Sequence, residues 1–266
     1  LSLLPILIIL VIIRAYPIGT AVVKSFTNWD GMYKNDWVGL KNYISILTNR
    51  DFWVVLRNNV FLLLNVPLQV FLGLIVAVLL YEGVPGWRFY RSIYYFPQVV
   101  SPVIVGFLFR IFFSFEGPLN RILSSIGLEE IAIEWLANGF TGMLVIIFCL
   151  VWINIGWQAI LLLSGMSSIN KSIFDAAKMD GVGYWRRTFK IVLPMILPVI
   201  EYSFIITVIW SFTAIFPFIY SLTNGGPGYQ TTTLDYLIYL KVFITGGRMA
   251  EACALSVILL FIMLSF

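Results

Sequence analysis

Two apolar stretches of this chain carry side chains able to hold a ligand. Residues 143–164 contain Trp152, Asn154, Trp157 and Gln158, and residues 195–222 contain Thr207, Trp210, Ser211 and Thr213. Amides and hydroxyls can match the hydroxyl groups of a polyhydroxylated molecule, and flat indole faces suit its apolar C–H surfaces, provided that both line a largely enclosed cavity. The same side chains have plainer uses in an apolar helix. Tryptophan can pack on lipid or core, and Asn, Thr and Ser can hydrogen-bond from helix to helix. Glu201, near the start of the second stretch, is a candidate buried charge, expected to pair with a basic residue or face a polar vestibule rather than to carry a proton.

Covalent chemistry has no comparable candidates. The run from Gly165 to Ser172 begins like a phosphate loop, but Asn170 stands where the second glycine belongs, and the run follows an apolar helix instead of a strand. The sequence has no histidine, the commonest general base and metal ligand, and it shows no Gly-x-Ser-x-Gly elbow and no catalytic carboxylate pair in its apolar stretches. The chain is therefore expected to be no enzyme, to hold no metal or other cofactor, and to leave any ATP hydrolysis to another protein. Cys149 and Cys253 both lie in apolar runs and read as small buried hydrophobes.

The elements that must position these residues follow from composition. Of 266 residues, 60% are hydrophobic, 17% aromatic and only 11% charged, with a mean hydropathy of +0.94. A soluble globular domain has no use for that much apolar surface. In lipid each backbone polar group must be satisfied within its own segment, so about 20 mostly apolar residues are needed per spanning helix. The reading is all-α: one polytopic domain over residues 1–266, with six spans at about 3–23, 60–81, 93–115, 143–164, 195–222 and 250–266. The sequence starts at Leu1 without a methionine and ends at Phe266 inside an apolar run, so a longer parent chain with a complete sixth span is expected. Pro67, Pro97 and Pro102 in or beside spans two and three are expected to kink them, and Arg14 in span one must face protein, a polar cavity or the interface.

The most polar segment lies between spans four and five. Ile173, Phe174, Ala176, Ala177 and Met179 give a short helix one apolar edge, and Asp180-Gly181 with Gly183 supplies the corner that stops it. A second helix starts near Tyr184 and runs into Pro194 and Pro198. Loop charge orients this segment. Loops 82–92 and 166–194 hold Arg88, Arg91, Lys171, Lys178, Arg186, Arg187 and Lys190 against Glu82, Asp175 and Asp180, whereas Glu116, Glu129, Glu130 and Glu134 cluster on the other side. The positive side should be cytoplasmic.

The segment resembles the EAA signature of the permease subunits of ATP-binding-cassette importers. Asp175, Ala176, Ala177, Asp180, Gly181, Phe189, Ile191, Leu193 and Pro194 fall on that pattern, with Asp175 where Glu is usual and Val182 where a small residue is usual. Ser25-Phe26-Thr27, Gly39-Leu40 with Asn42-Tyr43, Gly225-Gly226-Pro227 and the small residues Ala250, Ala252, Ala254 and Ser256 extend the likeness to the sugar-uptake branch, over nearly the whole chain. What the resemblance implies is a type I importer permease fold in a bacterial or archaeal cell membrane. It also implies a coupling helix made of Phe174, Asp175, Ala176, Ala177, Met179, Asp180 and Gly181, docked in a groove of a cytoplasmic ATPase that binds the ATP and Mg. Asn154, Trp157, Thr207, Trp210 and Ser211 fall at or near positions that line the sugar site of maltose-type relatives.

The expected function is half of an ATP-driven import path for a sugar or oligosaccharide, working by alternating access. The expected partners are a second, non-identical permease, an ATPase dimer and an extracytoplasmic sugar-binding protein, with no nucleic acid. The alternative is an ion- or proton-coupled secondary transporter, which would need intramembrane carboxylates and inverted repeats.

Overall fold

A computed structural model describes residues 4–81 and 86–266, apart from the side chains of Arg88, Lys178, Tyr184 and Trp185. Leu1, Leu3 and Glu82, used in the readings above, lie outside the described residues. The architecture is helical, and among the described residues the only extended pairing is a single bridge between Thr27 and Trp37. The principal helices in chain order are α1 (Leu4–Ser25), α2 (Lys41–Thr48), α3 (Arg50–Tyr81), α4 (Trp87–Val99), α5 (Pro102–Phe112), α6 (Gly139–Ser167), α7 (Lys171–Met179), α8 (Thr188–Met195), α9 (Leu197–Thr213), α10 (Leu234–Tyr239) and α11 (Met249–Leu264). By length and composition α1, α3 and α6 can each cross a bilayer, α4–α5 and α8–α9 qualify as bent pairs, and α11 is a further apolar helix of 16 residues.

Local chemistry fixes the ends. Asn49 and Asn138 cap α3 and α6, each accepting a hydrogen bond from the backbone N–H two residues on. Helix α3 begins ten residues before the apolar run that the sequence marks as span two, because Asn58 and Asn59 interrupt that run without interrupting the helix. Both are buried. Asn58 donates to the carbonyls of Tyr229 (2.8 Å) and Thr232 (2.9 Å), and Asn59 accepts from the Leu234 N–H (2.9 Å), so this helix holds the 229–234 segment.

The stretch expected as one span over 93–115 is instead two helices meeting at 95°. Pro102 pushes Ser101 out of the helical region, and Val100 and Ser101 are both extended (ψ 138° and 129°). The stretch expected over 195–222 likewise bends by 63° between α8 and α9, with Pro198 next to the corner at Ile196. It ends at Thr213, and a separate helical segment follows at 216–223.

Helix α3 lies along α6, where Ala77 meets Leu162 and Met166, and Val76 and Leu80 meet Ala159. Helix α9 closes on α3 through Val208, Phe212 and Val66. Helix α11 packs Ala254 and Leu255 on Ile46 of α2 and on Leu234 and Leu237 of α10, and its neighbour on the other side is α1. Small residues let backbones approach, as is usual between membrane helices. At Gly156 of α6 a Cβ would sit 2.0 Å from the Tyr94 carbonyl oxygen of α4. Two charged residues stand exposed, and for Glu201 this differs from its reading as a buried charge. Glu201 is exposed on the outward face of α9 beside Tyr202, not buried within the chain, and Arg14 is exposed on α1. The chain itself supplies no cover for either one.

Candidate functional site

Where α3, α4, α5, α6 and α9 converge they leave a cavity of about 240 Å³. Its polar lining is Asn65 and Gln69 of α3, Gln98 of α4, Asn154 of α6, and Thr207 and Ser211 of α9. Trp210, Ile215 and Phe218 supply apolar surface. Every polar side chain in this lining is neutral. Gln98 and Pro102 flank the corner at Val100–Ser101, and both face this wall.

The polar groups form a buried ladder. Gln69 Nε2 donates to Asn65 Oδ1 (2.7 Å), Asn65 Nδ2 donates to Ser211 Oγ (2.9 Å), and Ser211 Oγ donates to the Thr207 carbonyl (2.8 Å). One turn further along, Gln158 Nε2 donates to Thr207 Oγ1 (3.1 Å), and Ser203 Oγ donates to Gln158 Oε1 (2.9 Å). Buried amides in a membrane helix need such partners, so the ladder holds α3, α6 and α9 in one register. Gln158→Leu is expected to remove about 0.6–2 kcal/mol of this register, read as a lower melting temperature of the detergent-solubilised protein. An unchanged melting temperature would show that the ladder does not clamp the helices.

One polar atom in the wall is left over. Gln98 Oε1 is shielded from solvent and has no hydrogen-bond donor, a state that carries a cost of about 1–3 kcal/mol until a donor arrives. An incoming hydroxyl is such a donor.

The residues expected at the site gather unevenly. Asn154, Thr207, Trp210 and Ser211 line this cavity, whereas Trp157 lines an adjoining groove. The two indoles nevertheless meet, with ring centroids 4.7 Å apart, and so form the partition between the two spaces. Trp152 turns the other way, into a cluster of rings with Phe109. Asn65, Gln69 and Gln98 escaped the sequence reading. Asn65 and Gln69 stand four apart on one face of an apolar helix, a spacing that pairs two polar side chains where lipid would leave them unsatisfied.

The short helix α7 is also placed differently from expectation. Its apolar edge is not a free surface: Phe174 and Ala177 are buried in a cluster with Ala77, Leu162, Met166, Val192 and Ile196, and the Phe174 ring lies 5.6 Å from that of Tyr81. Asp175, Ala176, Asp180 and Gly181 are exposed, and Met179 is 84% exposed. The helix ends as its residues dictate. Gly181 adopts φ +66°, and the Val182 N–H bonds back to the Ala177 carbonyl (3.0 Å), closing a glycine-terminated cap.

Bent apolar helices around a neutral polar cavity, with a short helix at one end showing its polar side, fit a membrane permease. Residues 69–266 match the family model described as binding-protein-dependent transport system inner membrane component, and the chain belongs to that family, as a multi-pass membrane protein. It is 32% identical over 270 residues to the probable ABC transporter permease protein YurN of Bacillus subtilis, covering 100% of this chain and 91% of that protein. It is also 32% identical to the sn-glycerol-3-phosphate transport system permease protein UgpA of an Escherichia coli strain, over 98% of this chain and 88% of that one. Among solved structures, a chain of a bacterial ABC transporter involved in the import of the acidic polysaccharide alginate superposes with a TM-score of 0.85 at 25% identity, over 99% of this chain and 91% of that chain.

Proposed function

We propose that this chain forms half of the path of an ATP-driven importer for a sugar or oligosaccharide, in a bacterial or archaeal inner membrane. The observation that carries this reading is the neutral cavity. Amides and hydroxyls from α3, α4, α6 and α9 surround it, an indole closes it, and the Gln98 acceptor is left without a donor. Such a lining satisfies sugar hydroxyls without selecting a charge. Its volume of about 240 Å³ is below the range of roughly 300–1,000 Å³ usual for ligand pockets, as expected where a second permease supplies the facing wall.

In this reading Asn154, Thr207, Trp210 and Ser211 contact sugar, Trp157 borders the path, and Asn65, Gln69 and Gln98 join them. A sugar-binding protein delivers the solute outside, and two cytoplasmic ATPase subunits, which bind the ATP and Mg, close against α7 through Asp175, Ala176, Met179, Asp180 and Gly181. Phe174 and Ala177 root that helix in its own bundle. ATP drives transport only if it favours one of two permease states, so the contact at α7 must differ between them. The likeness to a probable ABC transporter permease and to a glycerol-3-phosphate transport system permease supports the assignment. The secondary-transporter alternative has less support, because the family and relatives that the chain resembles are permeases of binding-protein-dependent and ABC transport systems. The test is reconstitution with the ATPase, the second permease and the binding protein. Sugar-loaded binding protein is expected to raise ATP hydrolysis severalfold, and no stimulation by any sugar would remove the importer reading.

A further inference from the structure

Beyond the Trp157–Trp210 partition, the space changes character. The groove between α4 and α6, about 580 Å³, presents Arg91, Ser92, Tyr95, Trp157 and Ser164. Each of these side chains bears a donor, and the lining has no carboxylate. Ile160 and Leu161 make up its apolar floor. Among the described residues no carboxylate pairs with Arg91, and the ion pairs that exist, Lys241–Glu251 and Arg248–Glu251, lie elsewhere. The Trp157 indole N–H has no protein acceptor among the described residues either. Topology alone explains a cation at this end of the bundle. Arg91 is exposed, but topology does not explain why its guanidinium borders a groove lined by further donors, where a planar fork is suited to the paired oxygens of a phosphate or carboxylate.

We propose that this groove is an anion site, built to receive a phosphate or carboxylate group at Arg91, with Tyr95, Trp157 and Ser164 as supporting donors. Two sources can supply that group. One is an acidic substituent on the transported solute, whose hydroxyls occupy the neutral cavity across the tryptophan partition; this arm rests on the transport reading. The other is the phosphate of an anionic lipid entering from the side.

Chemical modification separates them without requiring transport. The intact transporter complex, in nanodiscs of phosphatidylcholine, is treated with phenylglyoxal, and modification of Arg91 is followed by mass spectrometry, with Arg110, exposed on α5 and outside the groove, as internal control. Glucuronate or inorganic phosphate is expected to slow modification of Arg91 severalfold, with glucose having no effect and Arg110 unchanged. Protection by glucuronate in phosphatidylcholine assigns the site to the solute. Protection only in nanodiscs containing phosphatidylglycerol assigns it to lipid phosphate. Arg91 reacting at one rate under all of these conditions would overturn the site, while leaving sugar-stimulated ATP hydrolysis, and with it the importer reading, to stand or fall separately.

Discussion

Gly156→Val is expected to abolish the folded permease. A Cβ at this position would lie 2.0 Å from the Tyr94 carbonyl oxygen, 2.6 Å from its carbon and 2.8 Å from the Tyr95 Cα, so the obstruction is backbone on both sides of the contact. Overpacking a core usually costs about 1–3 kcal/mol because side chains rotate away. Here no side chain stands in the way to rotate, and α4 would have to leave α6. That separation would also open the cavity wall at Gln98 and the groove at Tyr95. The measurement is the yield and melting temperature of monodisperse protein in detergent, with Gly19→Val as control, since a Cβ at Gly19 meets nothing within 4 Å. Equal melting temperatures for Gly156→Val and wild type would show that α4 does not cross α6 at this point.

Met179→Asp should leave the permease folded and strip it of its ATPase. The side chain is 84% exposed at the end of α7, so charging it removes no packing within the chain. If that end seats in the ATPase, a carboxylate there is desolvated without a partner, and loss of a central apolar contact costs about 2 kcal/mol or more, roughly thirtyfold in affinity. The readout is ATPase recovered with affinity-purified permease, together with the unchanged melting temperature of the permease itself. Phe174→Ala is the contrasting variant. Phe174 is only 8% exposed, and truncating a buried phenylalanine costs about 3–5 kcal/mol, so this change should lower the melting temperature first. Full ATPase recovery with Met179→Asp would remove α7 from the coupling contact.

How far the sequence foretold this molecule depends on which property is asked about. Apolar run length located the helices, because lipid leaves the backbone no alternative. It missed the first turns of α3, since Asn58 and Asn59 look like a loop until the 229–234 segment that they bind is in place. Of the three prolines read as kinks, Pro102 stands at the 95° corner, whereas Pro67 and Pro97 lie within helices, and the 63° bend falls beside Pro198, which the sequence marks as interrupting a helix. A 95° corner depends on Val100 and Ser101 both being extended, and only Ser101 is obliged to be so by Pro102. The grouping of Asn154, Thr207, Trp210 and Ser211 was legible because the resemblance to sugar-uptake permeases placed them at one site, on two apolar stretches that both carry polar and indole side chains. Asn65 and Gln69 were passed over although they share a helix face, and Gln98 because it is a lone polar residue in an apolar context; the cavity that all three line is formed only with other helices. The face of α7 was misread for a related reason: periodicity reveals an apolar edge but does not say whether the chain's own bundle or another protein covers it.

The burial of Phe174 bears on mechanics. A short helix tethered only by its flanking loops would be a soft spring, and a thrust delivered to it would be spent on loop compliance. Here the helix is seated by Phe174 and Ala177 in a cluster shared with α3, α6 and α8 and with the corner at Ile196. Prising it loose would expose Phe174, at about 1.5–3 kcal/mol for that ring alone. The lower-energy response to a thrust is for the seated parts to travel together. On the coupling role proposed for it, helix α7 would act as a crank with a stiff bearing, and the shaft it turns would be α9, whose far end carries Thr207, Trp210 and Ser211.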